Sequence, residues 1–118
     1  MTNLIGANLQ KTNLTNVVLA STSLQAANLQ KAKFEKVKFG RLFVSPDIKI
    51  NTSLEMANLK DTCFKDVSLV NINLKGANLQ NANFVNVNLR DVNLEGANLE
   101  GASFQNVKIE IYTIYFSD

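Results

Sequence analysis

Residues 72–91 read INLKGANLQNANFVNVNLRD, and residues 92–111 read VNLEGANLEGASFQNVKIEI. Aligned one above the other, the two blocks place Leu, Phe or Ile at every fifth position, with Ala, Val or Ile two residues earlier each time. A period of five matches neither the 3.6 of an α-helix nor the 2 of a long strand. It is typical of a chain that takes a short extended step and then turns.

The same spacing covers residues 2–41 and 52–111, which contain 20 centres: 14 Leu, five Phe and one Ile. The residue between each apolar pair is usually polar, most often Asn. Because alternate residues of a short strand point to the same side, both apolar side chains should face one interior. We expect the intervening residue and the two after each centre to face solvent. The 17 Asn residues should bond backbone groups at the turns and form ladders between neighbouring layers of chain.

A larger period of twenty appears when residues 42–51, LFVSPDIKIN, are removed. Leu14 is then followed in one column by Phe34, Phe64, Phe84 and Phe104. Keeping the segment in line would place Lys49 at a core centre, where an unpaired buried charge costs several kcal/mol. Removing it also predicts exposed ion pairs between stacked residues: Lys31–Asp61, Glu35–Lys65, Lys36–Asp66, the ladder Glu55–Lys75–Glu95, and Arg90–Glu110.

The pattern resembles the pentapeptide-repeat family, whose consensus is A-(D/N)-L-x-x. Residues 7–9, 27–29, 77–79 and 97–99 read Ala-Asn-Leu without change. The resemblance implies an all-β fold, a right-handed quadrilateral parallel β-helix with four repeats in each coil. We therefore predict one pentapeptide-repeat domain over residues 1–118. Its five coils are residues 2–21, 22–41, 52–71, 72–91 and 92–111, with a ten-residue loop at 42–51 and a C-terminal cap at 112–118.

Two segments are candidate interaction sites. The loop is apolar for an exposed excursion, and insertions into solenoids often carry binding. Its candidate partner-binding residues are Leu42, Phe43, Val44, Ile48, Lys49 and Ile50; the alternative is that they only cover an outer face. The second segment follows the last coil and is a candidate end cap or dimer patch, because an open solenoid end invites association. Its residues are Tyr112, Ile114, Tyr115 and Phe116.

Composition and net charge limit the classes of partner that the sequence predicts. Net charge is +2, too small to indicate a partner by its sign. No apolar run is long enough for a transmembrane helix, and no signal peptide is seen. The single Cys63 cannot form an internal disulfide, which favours a reducing, cytoplasmic location. We expect no membrane partner.

Catalysis, metals and cofactors are not predicted. The chain has no His, the commonest general base and metal ligand, and its carboxylates fall at outward positions of a convex rod. Cys63 is expected to be an incidental surface thiol, and Gly6, Gly76, Gly96 and Gly101 to be turn residues, not a phosphate loop. A basic cluster in coil two is interpreted as a solvated surface. Without interleaved aromatic residues it does not favour nucleic acid; its members are Lys31, Lys33, Lys36, Lys38 and Arg41, with Lys49 nearby.

The function that fits these observations is a non-catalytic structural or protein-interaction module. Its partner is another protein, or a second copy that meets one end of the solenoid. The resemblance also implies an alternative, since some pentapeptide-repeat proteins mimic DNA and bind gyrase or another topoisomerase. Those members are strongly acidic, whereas this chain has 12 basic and 10 acidic residues.

Overall fold

A computed structural model describes residues 2–39, 41–45 and 48–109. This part is all-β and contains no helix; correspondingly, none of its segments forms a helix that could cross a membrane. The six strands are β1 (Lys33–Glu35), β2 (Arg41–Ser45), β3 (Ile48–Asn51), β4 (Cys63–Lys65), β5 (Asn83–Val85) and β6 (Ser103–Gln105). The remaining ladder consists of single parallel bridges separated by turns.

The parallel pairing confirms the predicted register. Strands β1, β4, β5 and β6 form one sheet in that order, in which Phe34 pairs with Phe64, Phe64 with Phe84, and Phe84 with Phe104. Bridges join residues twenty positions apart, such as Ser53 and Asn73. Across the inserted segment they join residues thirty apart, as at Ser23 and Ser53. The chain therefore winds as a parallel β-helix with residues 42–51 outside the repeat.

The interior is built from the two apolar residues of each repeat. Leu24, Leu54 and Leu74 are fully buried, as are the small residues Ala27 and Ala82 that precede other centres. The rings of Phe34, Phe64, Phe84 and Phe104 stack with centroids 4.7, 5.0 and 4.9 Å apart. This spacing equals the distance between neighbouring strands of a sheet, so the Phe rings stack at the same interval as the coils. The predicted Phe column is confirmed.

Each described turn of the repeat, apart from the exit to the hairpin after Phe39, uses a left-handed residue two positions after the centre. Eighteen described residues have φ between 53° and 74°, fourteen of them other than Gly, as the second central residue of a type II turn requires. Most turns are closed by an N–H···O bond across three residues, as from Ala7 to Leu4 at 3.0 Å. After Phe34, Phe64 and Phe84 no such bond forms. At these turns the ladder extends by two residues, so that four three-residue parallel strands form at the Phe column.

Asn side chains act in both predicted ways. The Oδ1 atoms of Asn3, Asn28 and Asn78 each accept a hydrogen bond from the backbone N–H two residues later, at 3.1 to 3.2 Å. This arrangement is the Asx turn. Between coils, the amide of Asn106 donates to Asn86 at 2.6 Å, and Asn86 donates to Asp66 at 3.1 Å.

The inserted segment is more ordered than the predicted loop. Residues 41–45 and 48–51 form an antiparallel β-hairpin, a sheet separate from the parallel one. Leu42 stands opposite Ile50 and Phe43 opposite Lys49, with an irregularity between Phe43 and Ser45. The two runs LFV and IKI are rich in β-branched and aromatic residues, and the sequence places Pro46-Asp47 between them, so the hairpin agrees with local propensity.

The predicted ion-pair ladders are wrong, although their register is right. Glu35 binds Lys33 of its own strand at 3.1 Å, and Glu55 accepts a hydrogen bond from the amide of Asn73 at 3.3 Å. Within the described residues, no ion pair joins Lys31 to Asp61, Lys36 to Asp66 or Lys75 to Glu95. Exposed pairs contribute only about 0–1 kcal/mol, so nearer amides and same-strand partners compete successfully. The predicted partner of Arg90, Glu110, lies outside the described residues.

Both ends of the described β-helix are more exposed to solvent than its middle. The inward residues Leu4, Leu9 and Leu14 of coil one are partly exposed. In the last coil Phe104 is 48% exposed and Ile109 is 55% exposed. The candidate cap residues Tyr112, Ile114, Tyr115 and Phe116 lie outside the described residues, and so do residues 110 and 111. The division into five coils ending in a cap stays a prediction.

Candidate functional site

The parallel ladder is interrupted at one place in the described residues. The fourth column comprises residues 17–19, 37–39, 67–69, 87–89 and 107–109. Its bridges Val18–Lys38, Ser68–Asn88 and Asn88–Lys108 are present, whereas Lys38 and Ser68 are not paired. The other three columns continue from coil two to coil three, through Ser23–Ser53, Asn28–Asn58 and Lys33–Cys63. The interruption is therefore confined to the column beside the inserted hairpin.

Four main-chain groups are left without a partner there. In the intact part of this column, Leu69 N–H donates to the Asn88 carbonyl at 2.8 Å, and Asn88 N–H donates to the Val67 carbonyl at 3.1 Å. The equivalent bonds from Phe39 N–H to the Ser68 carbonyl and from Ser68 N–H to the Val37 carbonyl are missing from the described structure. Two donors and two acceptors thus lack a main-chain partner at the interruption, within the described residues.

The hairpin explains why the ladder opens here. The chain leaves coil two after Phe39 and re-enters coil three at Thr52, and two antiparallel strands must fit at that corner. The inward hydroxyls of Thr12 and Thr62 each donate to the carbonyl three residues before them, at 2.7 Å. Thr52 cannot repeat this local bond, because strand β3 precedes it, and its hydroxyl donates instead to the carbonyl of Leu19 in coil one. The end of coil two stays paired with coil one through Val18 and Lys38 but is not paired with coil three.

The interruption forms a cleft of about 430 Å³ lined by Lys36, Val37, Lys38, Phe39, Asp66 and Ser68. The cleft is shallow and largely open to solvent. Phe39 is partly buried, with its ring 6.2 Å from the ring of Phe34. The charges are mixed: two ammonium groups face one carboxylate, which already accepts a hydrogen bond from Asn86. We call this feature the coil-two cleft.

The structure separates the residues that sequence reasoning placed together. The hairpin residues Leu42, Phe43, Val44, Ile48, Lys49 and Ile50 are in strands β2 and β3, but their side chains lie outside the described part. The basic residues Lys31, Lys33, Lys36 and Lys38 are exposed, and Lys33 is paired with Glu35. Among the basic residues whose side chains the structure describes, only Lys36 and Lys38 line the cleft.

The cleft itself was not predicted from the sequence. Val37, Phe39, Asp66 and Ser68 follow the repeat without deviation, and their unusual position depends on where the ladder opens. One signal was available. These residues flank the junction of the inserted segment, where stacking of coil two on coil three is least constrained.

Groups suited to metal binding do not converge within residues 2–39, 41–45 and 48–109, where no three His, Cys, Asp or Glu residues form a cluster. Cys63 is a free, partly buried thiol on β4. Carboxylates such as Asp61, Glu95 and Glu100 stand at outward positions of the coils, as expected from the repeat. The arrangement offers backbone and ammonium groups for binding rather than a set of residues for proton transfer.

Family models agree with this geometry. A model described as a pentapeptide repeat region matches residues 50–114, and a second, described as pentapeptide repeats in eight copies, matches residues 2–41. The chain belongs to the pentapeptide-repeat family. The two matches leave residues 42–49 uncovered, the part that forms most of the hairpin. In this pentapeptide-repeat protein the insertion is therefore foreign to the repeat by sequence as well as by structure.

Solved structures show the same fold. The pentapeptide-repeat protein Rfr23 from the cyanobacterium Cyanothece 51142 is 26% identical, with a TM-score of 0.55 over 98% of this chain and 88% of that chain. A trypsin-treated form of QnrB1, a plasmid-mediated fluoroquinolone resistance protein, is 15% identical, with a TM-score of 0.58 over 90% of this chain and 52% of that chain. This chain thus spans about half the length of QnrB1, and the likeness concerns the fold alone. A search of curated protein sequences finds no match.

Proposed function

We propose that this pentapeptide-repeat chain is a non-catalytic protein-interaction module whose inserted hairpin carries the contact with another protein. The observation that supports the proposal is the single departure from an otherwise uniform ladder. Strands β2 and β3 pair with each other and join no other described strand. A rigid β-helix holding one projecting hairpin suits display of a binding surface, because binding residues are often placed on loops that a scaffold positions.

The partner contact is assigned to Leu42, Phe43, Val44, Ile48, Lys49 and Ile50. Their apolar content supports a contact with another protein, since exposed apolar groups are a common signature of interaction sites. The competing explanation is that the same residues pack against the outside of coils two and three. In that case they stabilise the fold and bind nothing.

Single substitutions in the hairpin separate these explanations. We expect Phe43→Asp and Ile48→Asp each to abolish capture of a protein partner from the native cell extract and to shift the thermal midpoint by less than about 2 °C, as surface substitutions do. Ile5→Asp is the matched control, since Ile5 is exposed in coil one and should retain capture. A clear fall in thermal midpoint for the hairpin variants would show that the residues pack on the rod instead.

The gyrase-binding alternative is not proposed. A protein that mimics DNA needs a strongly negative surface, and this chain carries 12 basic against 10 acidic residues. The likeness to QnrB1 concerns the fold alone. A cytoplasmic location and association through a solenoid end stay predictions of the sequence.

A further inference from the structure

We propose that two copies of this chain associate end to end through coil one, residues 2–21, about a two-fold axis perpendicular to the rod. The sequence predicts association through a solenoid end, and we place it at the coil-one end. The dimer is independent of the hairpin contact, because strands β2 and β3 leave the rod only after coil two. The partner at this surface is a second copy of the same chain.

Coil one carries apolar side chains at two outward positions where the later coils carry polar ones. Val18 is 63% exposed and Ile5 is 54% exposed. The residues at the equivalent positions of the later coils are Lys38, Ser68, Asn88 and Lys108 for Val18, and Gln25, Glu55, Lys75 and Glu95 for Ile5. Coil one also has a single charged residue, Lys11, against six in coil two. Because charged side chains protect natural sheet edges from pairing, this end has little of the usual barrier to association.

The interior of the rod also meets solvent at this end. Leu4 and Leu9 are partly exposed, whereas Leu24 and Leu29, the equivalent residues of coil two, are fully buried. Another coil stacked on coil one would bury Leu4 and Leu9 in the same way. Coil one presents 20 residues at this end, which matches the lower limit of the roughly 20–30 residues that each partner contributes to a standard interface. The surface is therefore large enough for a specific dimer.

The main chain of coil one is equipped to pair with an antiparallel strand. Four of its residues have an N–H and a C=O that lack a main-chain partner within the described residues: Asn3, Asn8, Asn13 and Val18. Coil two is bonded through the residues on either side of them, such as Ala7 and Leu9. In an antiparallel ladder, a residue that has both groups free exchanges two hydrogen bonds with the residue opposite it. The same four residues can therefore serve both copies.

A two-fold axis brings the strands together in the required direction. A half-turn about an axis perpendicular to the rod reverses the chain, so the strands of coil one run antiparallel where the two ends meet. An axis through Asn8 and Val18 sets each of these residues opposite its own copy, and Asn3 then lies opposite Asn13. This position of the axis packs the two exposed Val18 side chains against each other and keeps the two Lys11 side chains apart. Because both copies use the same surface, the assembly closes at two.

The competing arrangement stacks coil one of each copy on coil five of the next. It would continue the parallel ladder, but it joins two different surfaces and does not close, so it produces filaments. Residues 110–118 also continue the chain beyond the coil-five end, so a rod stacked there would have to accommodate them. We therefore favour the two-fold dimer.

Light scattering and sedimentation of the full chain test the proposal. We expect a species of twice the 13.0 kDa chain mass that dissociates on dilution. Val18→Glu should raise the dissociation constant of the dimer at least about tenfold, because it buries an unpaired carboxylate. In the monomer that carboxylate faces solvent next to Lys38, the bridge partner of position 18, so the chain should stay folded. Met56→Glu is the matched control, since Met56 is 62% exposed in coil three and should leave the dimer intact.

Amide hydrogen exchange tests the strand pairing itself. The N–H groups of Asn8 and Val18 should be protected in the dimer and should exchange rapidly in Val18→Glu. The Leu9 N–H should stay protected in both proteins, because it donates to the Asn28 carbonyl of the same chain at 2.7 Å. If Val18→Glu does not fold, Val18→Asn takes its place, since Asn88 occupies the equivalent position of coil four.

Three outcomes would overturn the inference. The first is a chain that stays monomeric up to about 1 mM, which excludes even millimolar affinity. The second is a dimer that Val18→Glu leaves unchanged, which would place the contact on another surface. The third is growth into filaments, which indicates stacking of coil one on coil five. The proposed function is judged separately, by whether Phe43→Asp abolishes capture of a protein partner.

Discussion

The residue two positions after each centre decides whether the chain can turn. Fourteen of the eighteen described residues with positive φ are not Gly, although a left-handed backbone costs L-residues roughly 1–2 kcal/mol. Asn and Asp tolerate this conformation best; Lys11, Lys31 and Met56 have no such advantage. Stacking with the neighbouring coils stabilises the turn enough to offset that strain.

Gly76 offers a test of this strain. A methyl group at position 76, where φ is +68°, would overlap the sulfur of Met56 in the coil before it. At Gly6, where φ is +70°, nothing lies within 4 Å. Since both sites carry the same conformational penalty, we expect Gly6→Ala to lower the free energy of unfolding by about 1 kcal/mol and Gly76→Ala to lower it by more.

Chemical denaturation of the two variants measures the difference. Adding Met56→Ala should remove the additional loss of unfolding free energy that Gly76→Ala shows over Gly6→Ala, because the overlapping side chain is gone. The coupling energy in this double-mutant cycle isolates the contact between positions 56 and 76. Equal losses for Gly6→Ala and Gly76→Ala in the parent chain would show that Met56 moves aside without cost.

At the scale of the element, the hairpin and the cleft are two consequences of one insertion. Ten residues leave the winding after coil two, and the ladder resumes in three of four columns directly afterwards. In the fourth column Lys38 and Ser68 stay unpaired, because they adjoin the corner where the hairpin departs. Local propensity accounts for the hairpin, whereas the cleft arises from how its base fits between two stacked coils.

Removing residues 42–51 should close the cleft. The deletion joins Arg41 to Thr52 and makes the repeat continuous, so Phe39 and Ser68 can form their two missing main-chain bonds. At about 0.5–1.5 kcal/mol each, these bonds should raise the free energy of unfolding by about 1–3 kcal/mol. Amide hydrogen exchange should show Phe39 and Ser68 exchanging rapidly in the full chain and slowly in the deletion variant.

A deletion one residue shorter is the matched control. Removing residues 42–50 keeps Asn51 as one extra residue at the turn between coils two and three, where it must bulge outward for coil three to keep its register. That variant should be less stable than the one lacking residues 42–51. If both deletions destabilise the chain equally, the hairpin is an integral part of the fold and the cleft is not a consequence of its insertion.

At the scale of the whole molecule, stability depends on position along the rod. Apart from the hydrogen bond from Thr52 to Leu19, the coils stack on their direct neighbours, so the free energy of unfolding is close to a sum of coil and interface contributions. Phe64 has a stacked ring on each side, at 4.7 and 5.0 Å. Phe104 has one described stacking partner, at 4.9 Å, and is 48% exposed.

We therefore expect Phe64→Ala to lower the free energy of unfolding by about 3–5 kcal/mol, the usual loss for a buried Phe. Phe104→Ala should cost less than about half as much, because roughly half of its side chain already contacts solvent. Urea denaturation followed by circular dichroism measures both. Equal costs would mean that Phe104 is covered in solution, by a C-terminal cap or by a second copy of the chain.

The sequence by itself determined the winding of this protein. Inward Leu and Phe spaced by five, and the column containing Phe34 and Phe64, specify the repeat because each side chain must reach an apolar interior of fixed width. The excision of residues 42–51 followed from the same requirement, since keeping them would bury Lys49. Only the tertiary structure decided which exposed charges pair and where the ladder opens. Those features depend on distances between side chains and on the fit of one corner. The sequence marks the junction of the inserted segment but does not encode the opening of the ladder beside it.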